Sequence, residues 1–292
     1  METTAARDST LFPPGYGEVT LQSNDGLLCH FSRHLLAYMS NFFRGMFELP
    51  VVERQAGHQV EGLVPLQMTE SGQILELFLV HIDPKHPTPS IDPSTIEALL
   101  EMAQKYEAPT ITEWFMKNAL LEERSKVSTS SVLSEAFIST HPVLALHCAV
   151  RFNLPSTGQF ALREFAGCNV SRIIGPVPSI SLHAYLTGIR LREERINAYE
   201  NMIEEMTTKH ISTACGSCLV LFARWLFRVQ STVRKEPRWE VFERVNNSCP
   251  PDCTHARHSV SLGLDSHNMD RWGIQHAESI LPVWTDLVNI VP

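Results

Sequence analysis

Residues 33–47 read RHLLAYMSNFFRGMF, the most informative segment of this 292-residue chain. Its apolar side chains recur at helical spacing and fall on one helical face: Leu35, Met39, Phe42, Phe43 and Met46. Ser40 and Asn41 interrupt the run with side chains that favour a helix N-terminus. The pattern therefore predicts two short consecutive helices rather than one long helix.

A β-hairpin is predicted immediately before these helices. Apolar and polar residues alternate over 19–23 and again over 27–31, and Asp25-Gly26 between them is a turn signal. Residues 1–15 are polar and then proline-containing, which predicts a disordered lead-in. Ordered structure is therefore expected to begin near Glu18.

A further strand and a buried helix are predicted downstream. The segment Leu63-Val64-Pro65-Leu66 has the composition of a short strand, and its proline favours a sheet edge. Residues 74–82 are apolar almost all round, which is the pattern of a helix buried within a core.

Two more helices complete this part of the chain. Asp92 can cap a helix whose first residue is Pro93, and the next helix is expected over 112–121. Strands followed by helices make residues 16–121 an α+β domain.

The remaining residues, 122–292, are predicted to be mostly helical. The expected helices cover 132–139, 142–152, 159–166 and 181–207. The last of them carries an apolar stripe of Leu182, Tyr185, Leu186, Ile189, Ile196, Tyr199, Ile203 and Met206. We therefore divide the chain into a lead-in (1–15), an α+β domain (16–121), a helical region (122–207) and an irregular helical tail (208–292).

The composition excludes several classes of protein. A hydrophobic fraction of 43% with 19% charged residues is globular, and a net charge of −8 argues against a broad nucleic-acid-binding face. Seven cysteines are an odd number and do not form a disulfide scaffold. No secretory signal or bilayer-length apolar run is recognisable, so we expect an intracellular protein of the cytoplasm or nucleus without a membrane partner.

Taken in order, these segments resemble the BTB/POZ domain family, and most closely the fungal proteins in which that domain precedes a helical tail. Residues 18–26 are similar to the family's opening strand and turn, and residues 33–47 to its central helical signature. The later strand and two later helices correspond, in order, to 63–66, 74–82 and 99–106. The likeness covers about residues 16–121, and residues 142–154 resemble the first helix of the fungal tail.

Two positions depart from the family pattern. Glu18 stands where the family usually has aspartate, and Ser32 stands where it usually has histidine. Both positions lie in the family's charged groove. The resemblance therefore does not carry over the functions of that groove in transcriptional repressors.

The resemblance implies a protein-interaction module rather than an enzyme. BTB domains self-associate through their first helices and recruit other proteins, which implies a homodimer with Leu35, Met39 and Phe43 among its contact residues. Some members are adaptors for cullin-based ubiquitin ligases and use a hydrophobic-x-Glu triplet in the following loop. Val51 and Glu53 fit that triplet, and a solvated loop without a partner is the alternative.

A group of cysteines near the C-terminus is the candidate metal site. Two closely spaced pairs, followed by His255 and His258, could supply four thiolates to one structural zinc ion: Cys215, Cys218, Cys249 and Cys253. A zinc-containing transcriptional regulator is then an alternative function. Core packing or free thiols are the competing explanation, and the isolated cysteines are expected to be packed: Cys29, Cys148 and Cys168.

No catalytic motif is recognisable in the sequence. It contains no Gly-x-Ser-x-Gly elbow, phosphate loop, dinucleotide fingerprint or His-Glu-x-x-His. We therefore expect a non-enzymatic scaffold or adaptor with no catalytic residue and no required cofactor.

Overall fold

The computed structural model describes residues 6–49, 64–120, 123–124, 133–134, 136–173, 181–211, 216–238, 240–241 and 244. The chain forms two compact units, Met1–Ala119 and Leu120–Pro292. In the described residues the first unit combines a small sheet with helices, and the second is mainly helical. The predicted α+β class with a helical excess is confirmed at this level.

A four-stranded sheet organises the first unit. Its strands are β1 (Arg7–Asp8), β2 (Val19–Gln22), β3 (Leu27–Phe31) and β4 (Leu66–Gln67), in the spatial order β1-β3-β2-β4. The strands β2 and β3 form the predicted antiparallel hairpin, whereas β1 runs parallel to β3 and β4 runs parallel to β2. Alternate residues of β3 are buried, so this strand turns one face to the core.

The hairpin closes through the three-residue loop 24–26. The backbone N of Ser23 donates to the carbonyl of Leu27 (2.9 Å), and the N of Gly26 donates to the carbonyl of Ser23 (3.1 Å). Gly26 has a φ of 83°, in the left-handed region that glycine enters without strain. This is the pattern of a type I turn followed by a glycine bulge, and the predicted turn is confirmed.

The prediction of a disordered lead-in is wrong for residues 7–12. Arg7–Asp8 forms β1 on the free edge of β3, and Phe12 is fully buried. A polar terminal segment can be ordered when its backbone pairs with a sheet edge, and local composition does not reveal that edge. The later strand also differs from its prediction: β4 covers 66–67 rather than 63–66, although it lies at the sheet edge as the proline indicated.

The helices of the first unit are α1 (Arg33–Met39), α2 (Asn41–Glu48), α3 (Gly72–Ile82), α4 (Ile96–Lys105) and α5 (Pro109–Ala119). The predicted break between α1 and α2 falls at Ser40. The helix α3 is buried and contacts β3, α1, α4 and α5, as its all-round apolar pattern indicated. The helix α4 begins at Ile96 rather than Pro93, although the Asp92 carboxylate accepts a hydrogen bond from the N of Ser94 (2.9 Å), as a capping residue does.

The second unit begins with a short strand pair and continues as helices. The strands β5 (Glu123–Arg124) and β6 (Leu133–Ser134) are antiparallel. The helices are α6 (Phe137–Thr140), α7 (Pro142–Arg151), α8 (Pro155–Gly167), α9 (Leu182–Ile211) and α10 (Gly216–Lys235), with one 3₁₀ turn at Val170–Arg172. The predicted helix over 132–139 is therefore wrong at its start, where Leu133–Ser134 pairs as a strand. No helix in the described part of the chain is both long enough and apolar enough to cross a bilayer.

The buried face of α9 differs from the predicted apolar stripe. Leu182 and Leu186 are exposed by 71% and 53%, whereas Arg192 and Arg195 are only 4% and 5% exposed. The Arg192 guanidinium donates to the carbonyls of Cys168 (2.6 Å), Arg234 (2.9 Å) and Lys235 (2.6 Å). These carbonyls lie at the C-terminal ends of α8 and α10, where a cation is favoured. Arg192 is thus buried because it satisfies two helix ends at once.

Candidate functional site: the face of the first two helices

The predicted contact residues lie on a helix pair with an exposed aromatic surface. Tyr38 is 77% exposed, Leu49 is 67% exposed and Phe42 is 43% exposed. Four neighbouring apolar side chains are half-buried: Leu35, Met39, Met46 and Phe47. We call these seven residues the α1–α2 face. It presents large apolar groups to solvent on rigid helices.

Phe43, which was predicted as a partner contact, does not belong to this exposed face, and its role as a contact stays a prediction. Its side chain is 1% exposed and stacks on the Tyr106 ring with centroids 5.4 Å apart. Phe42 and Phe43 are consecutive, so they point about 100° apart around α2. Phe43 consequently packs into the core while Phe42 remains at the surface.

Two arginines bind α1 and α2 to each other reciprocally. Arg33, at the start of α1, donates from Nη2 to the carbonyl of Phe47 (2.8 Å), and its guanidinium lies 4.9 Å from the Phe47 ring centroid. Arg44, on α2, donates from Nε to the carbonyl of Ala37 (3.1 Å) and from Nη2 to that of Tyr38 (3.4 Å). Each arginine therefore supplies donors to the C-terminal turn of the other helix. The α1–α2 face is held in one geometry as a result.

Ser40 anchors the corner between these helices to the rest of the unit. Its hydroxyl accepts from the N of Phe43 (3.1 Å), which caps α2, and donates to the carbonyl of Tyr106. The N of Asn41 also donates to the carbonyl of Glu107 (3.2 Å). Because Ser40 is completely buried, the corner cannot move without breaking these bonds.

The N-terminus of α1 is capped from the hairpin rather than by its own N-cap residue. Ser32 makes no side-chain capping bond, and Glu18 Oε2 instead accepts from the backbone N of Arg33 (3.0 Å). This hydrogen bond lowers the pKa of the Glu18 carboxyl, since it favours the charged form. Glu18 and Ser32, the two positions that differ from the family pattern, therefore both lie at the N-terminus of α1.

The remaining predicted residues are placed only in part. Val51 and Glu53 lie outside the described residues, as do Cys215, Cys249 and Cys253; Cys218 lies within α10, but its side chain is not described. The zinc and cullin-contact predictions therefore stay predictions. In the described part of the chain, no three histidine, cysteine, aspartate or glutamate side chains group as a metal site. Cys29, Cys148 and Cys168 are buried, as expected.

The α1–α2 face exposes tyrosine and phenylalanine side chains, and aromatic residues are enriched at protein interfaces. Sequence reasoning included Leu35 and Met39 but missed Tyr38, the most exposed residue of the face. A helical stripe drawn from Leu35 already places position 38 beside it, and only the polar hydroxyl kept this tyrosine out of the apolar pattern.

A scan against models of protein families found no match, and a search of curated protein sequences found none either.

Proposed function

We propose that this chain is a non-enzymatic interaction protein that forms a homodimer through the α1–α2 face of a BTB/POZ-like unit. The exposure of Tyr38 carries the proposal, because a large aromatic side chain is 77% accessible on a helix pair held by buried and charged contacts. Such pre-organised aromatic groups lose little conformational entropy on binding.

The order of elements supports the likeness to BTB/POZ domains. A strand and turn, two short helices, a later strand and further helices follow each other in the described residues as they do in the resemblance. The later strand lies at the sheet edge and α3 lies at the centre of the unit. This order of elements supports our proposal that the first unit is a BTB/POZ-like domain.

The charges on α2 support association with a second copy. Arg44 and Glu48 are both exposed and lie one helical turn apart. In a twofold dimer the same surface of both copies forms the interface. Because α2 carries a positive and a negative side chain, Arg44 of one copy can pair with Glu48 of the other. Arg44 lies on the side of α2 that carries Phe47, three residues away, and its guanidinium reaches the Tyr38 carbonyl.

Sedimentation equilibrium of the full chain tests the dimer. We expect a concentration-dependent dimer for the unaltered protein and a weaker one for Tyr38→Ser. Loss of a central aromatic contact weakens interfaces by about 2 kcal/mol, or roughly 30-fold in the dissociation constant. Tyr38 is exposed, so this change should leave the fold intact.

A matched pair of phenylalanine variants provides the control. Phe42, at 43% exposure, lies on the α1–α2 face, and Phe160, at 49% exposure, lies on α8 in the second unit. Phe42→Ser is expected to weaken the dimer, and Phe160→Ser is expected to leave it unchanged. A strictly monomeric protein at high concentration, or equal effects of the two changes, would contradict the proposal.

The second unit is proposed to present other protein partners. Leu182 and Leu186 are exposed one turn apart at the start of α9, and Phe227 is 73% exposed on α10. A partner captured by the full chain should be lost with Leu182→Ser and Leu186→Ser together and retained with Tyr38→Ser. The opposite pattern would place that partner on the α1–α2 face instead.

A further inference from the structure

The segment 7–16, which we call the N-terminal strap, lies along the outer edge of β3. The N of Arg7 donates to the carbonyl of Gly26 (3.0 Å), the N of Ser9 donates to that of Leu28 (2.8 Å), and the carbonyl of Phe12 accepts from the N of His30 (2.9 Å). The Phe12 ring is fully buried, with its centroid 5.4 Å from that of Phe31. Backbone pairing and one aromatic side chain therefore hold the strap in place.

A tight turn presents Tyr16 at the end of the strap. The N of Tyr16 donates to the carbonyl of Pro13 (3.0 Å), and Gly15 has a φ of 88°. Proline followed by a glycine of positive φ is the pattern of a type II turn. Pro13, Pro14 and Gly15 are exposed and Tyr16 is half-buried, so this tyrosine follows directly on an exposed turn.

The Tyr16 hydroxyl points at a buried carboxylate. It donates to Asp83 Oδ2 at the C-cap of α3, and Asp83 is 2% exposed. His86 Nε2 lies 3.5 Å from the same hydroxyl, and Lys85 Nζ lies 4.7 Å from the centroid of the Tyr16 ring. Burial and the adjacent Asp83 raise the pKa of Tyr16 to about 12. The closed strap consequently holds this phenol in its neutral form.

We propose that Tyr16 is a phosphorylation site and that its phosphate releases the N-terminal strap. A phosphate carries about two negative charges at neutral pH and three additional oxygens. In the closed strap the Tyr16 hydroxyl contacts the buried Asp83 carboxylate. A phosphate on that hydroxyl would therefore place its negative charge and its oxygens against a buried carboxylate. The Lys85 cation can meet only part of that charge, since it lies over the ring face.

The donor is a nucleoside triphosphate bound by a tyrosine kinase. The Tyr16 oxygen forms a bond to the γ-phosphorus, the bond from that phosphorus to the β–γ bridging oxygen breaks, the diphosphate leaves, and the phenolic proton passes to a base of the kinase. Local opening of the strap, which requires the loss of its backbone hydrogen bonds to β3, would give the kinase access to Tyr16. Tyr38 is more exposed, but its backbone is fixed within α1, so an extended substrate conformation there requires the helix to unfold.

Release of the strap would uncover the thiol of Cys29. This residue of β3 is completely buried, and Ser9 of the strap lies close enough to the thiol to influence its pKa. Ser9 Oγ also donates to Glu76 Oε1 (2.5 Å), a second hydroxyl–carboxylate contact between the strap and α3. The reactivity of Cys29 towards an alkylating reagent therefore reports whether the strap is open.

The test uses the full chain with phosphotyrosine placed at position 16 by genetic code expansion. Iodoacetamide labelling is followed by mass spectrometry for each cysteine separately. We expect Cys29 to react about tenfold faster or more than in the unmodified chain, since reaction requires local opening. Cys148 and Cys168, which are buried in the second unit, should keep their rates. A Cys29 rate within about twofold of the unmodified chain overturns release by the phosphate.

Two control variants test whether the phosphate at position 16 itself causes the change in the Cys29 labelling rate. Phosphotyrosine at position 38 should leave the Cys29 rate unchanged, because Tyr38 makes no contact with the strap in the described contacts. Tyr16→Phe removes the bond to Asp83 but adds no charge. If it raised the Cys29 labelling rate as much as the phosphate does, the proposed role of the phosphate would be overturned. Phosphopeptide mapping of the protein from its own cells should find phosphate on Tyr16; its absence there, or phosphate on Tyr38 alone, overturns the site.

Discussion

His81 is a half-buried titratable side chain whose Nε2 is buried without a hydrogen bond in the described part of the chain. Its Nδ1 donates to the carbonyl of Leu77 (2.8 Å), and its ring meets the edge of Trp114 with centroids 4.3 Å apart. Burial lowers the pKa of His81 below its ordinary value of 6.5, although the bond to Leu77 opposes this change. The folded first unit therefore favours neutral His81.

His81→Leu should remove part of the acid sensitivity of the first unit. A histidine whose pKa is lower in the folded than in the unfolded state binds more protons when unfolded, so the free energy of unfolding falls as the pH drops below about 6.5. Leucine abolishes this loss, and it also removes the unpaired nitrogen, which should add about 1 kcal/mol at pH 7. Urea unfolding at pH 7 and pH 5 measures both effects.

Exposed His34 on α1 provides the control for this change. His34→Leu tests whether the loss of a histidine by itself changes the difference between pH 7 and pH 5. If His81→Leu left that difference unchanged, the neutral buried state of His81 would be contradicted.

At the scale of elements, the corner between α1 and α2 decides how the docking face is presented. One serine supplies the cap of α2 and the bond to the α4–α5 turn, and two arginines cross between the helices. The apolar residues of the face are thereby oriented by polar contacts at helix ends. A substitution at this corner is therefore expected to lower the stability of the first unit rather than to remove a contact with a partner.

Ser40→Ala should destabilise the first unit by about 1 to 2 kcal/mol, because it removes an N-cap and leaves the buried carbonyl of Tyr106 without this donor. The matched control is Ser32→Ala, since Ser32 occupies the N-cap of α1 without making a capping bond. That change is expected to cost less than about 0.5 kcal/mol. Urea denaturation compares the two, and equal losses would show that the Ser40 contacts contribute nothing specific.

At the scale of the whole molecule, two units are each compact by themselves. The first is built around the buried helix α3 and its sheet. The second is built around α7, α8 and α9, with Arg192 satisfying the ends of α8 and α10. Separate cores allow separate unfolding transitions.

Arg192→Ala should lower the melting temperature of one calorimetric transition and leave the other in place. The change leaves three carbonyls without this donor, at a cost of roughly 2 to 4 kcal/mol in the second unit. Arg190→Ala is the control, because Arg190 is exposed and makes a 3.8 Å ion pair with Glu194, worth about 0.3 kcal/mol. Arg192→Ala moving both transitions together would contradict independent units.

Local sequence patterns predicted the elements that depend on nearest neighbours. The break at Ser40, the Asp25-Gly26 turn and the buried helix over 74–82 all follow from capping, turn chemistry and periodicity within about a dozen residues. Leu35 and Met39, which are half-buried on the α1–α2 face, were identified in the same way. These features were available from sequence because the interactions that create them are local.

The tertiary structure alone decided which side chains a distant partner buries or exposes. Phe43 is buried because Tyr106 covers it, Phe12 because β3 offers it an edge, and Arg192 because two helix ends converge on it. Leu182, in turn, is exposed although it continues the apolar stripe of α9. Periodicity shows which side chains of a segment lie on a common face. Whether that face is buried depends on the free energy of its contacts with residues far away in the chain.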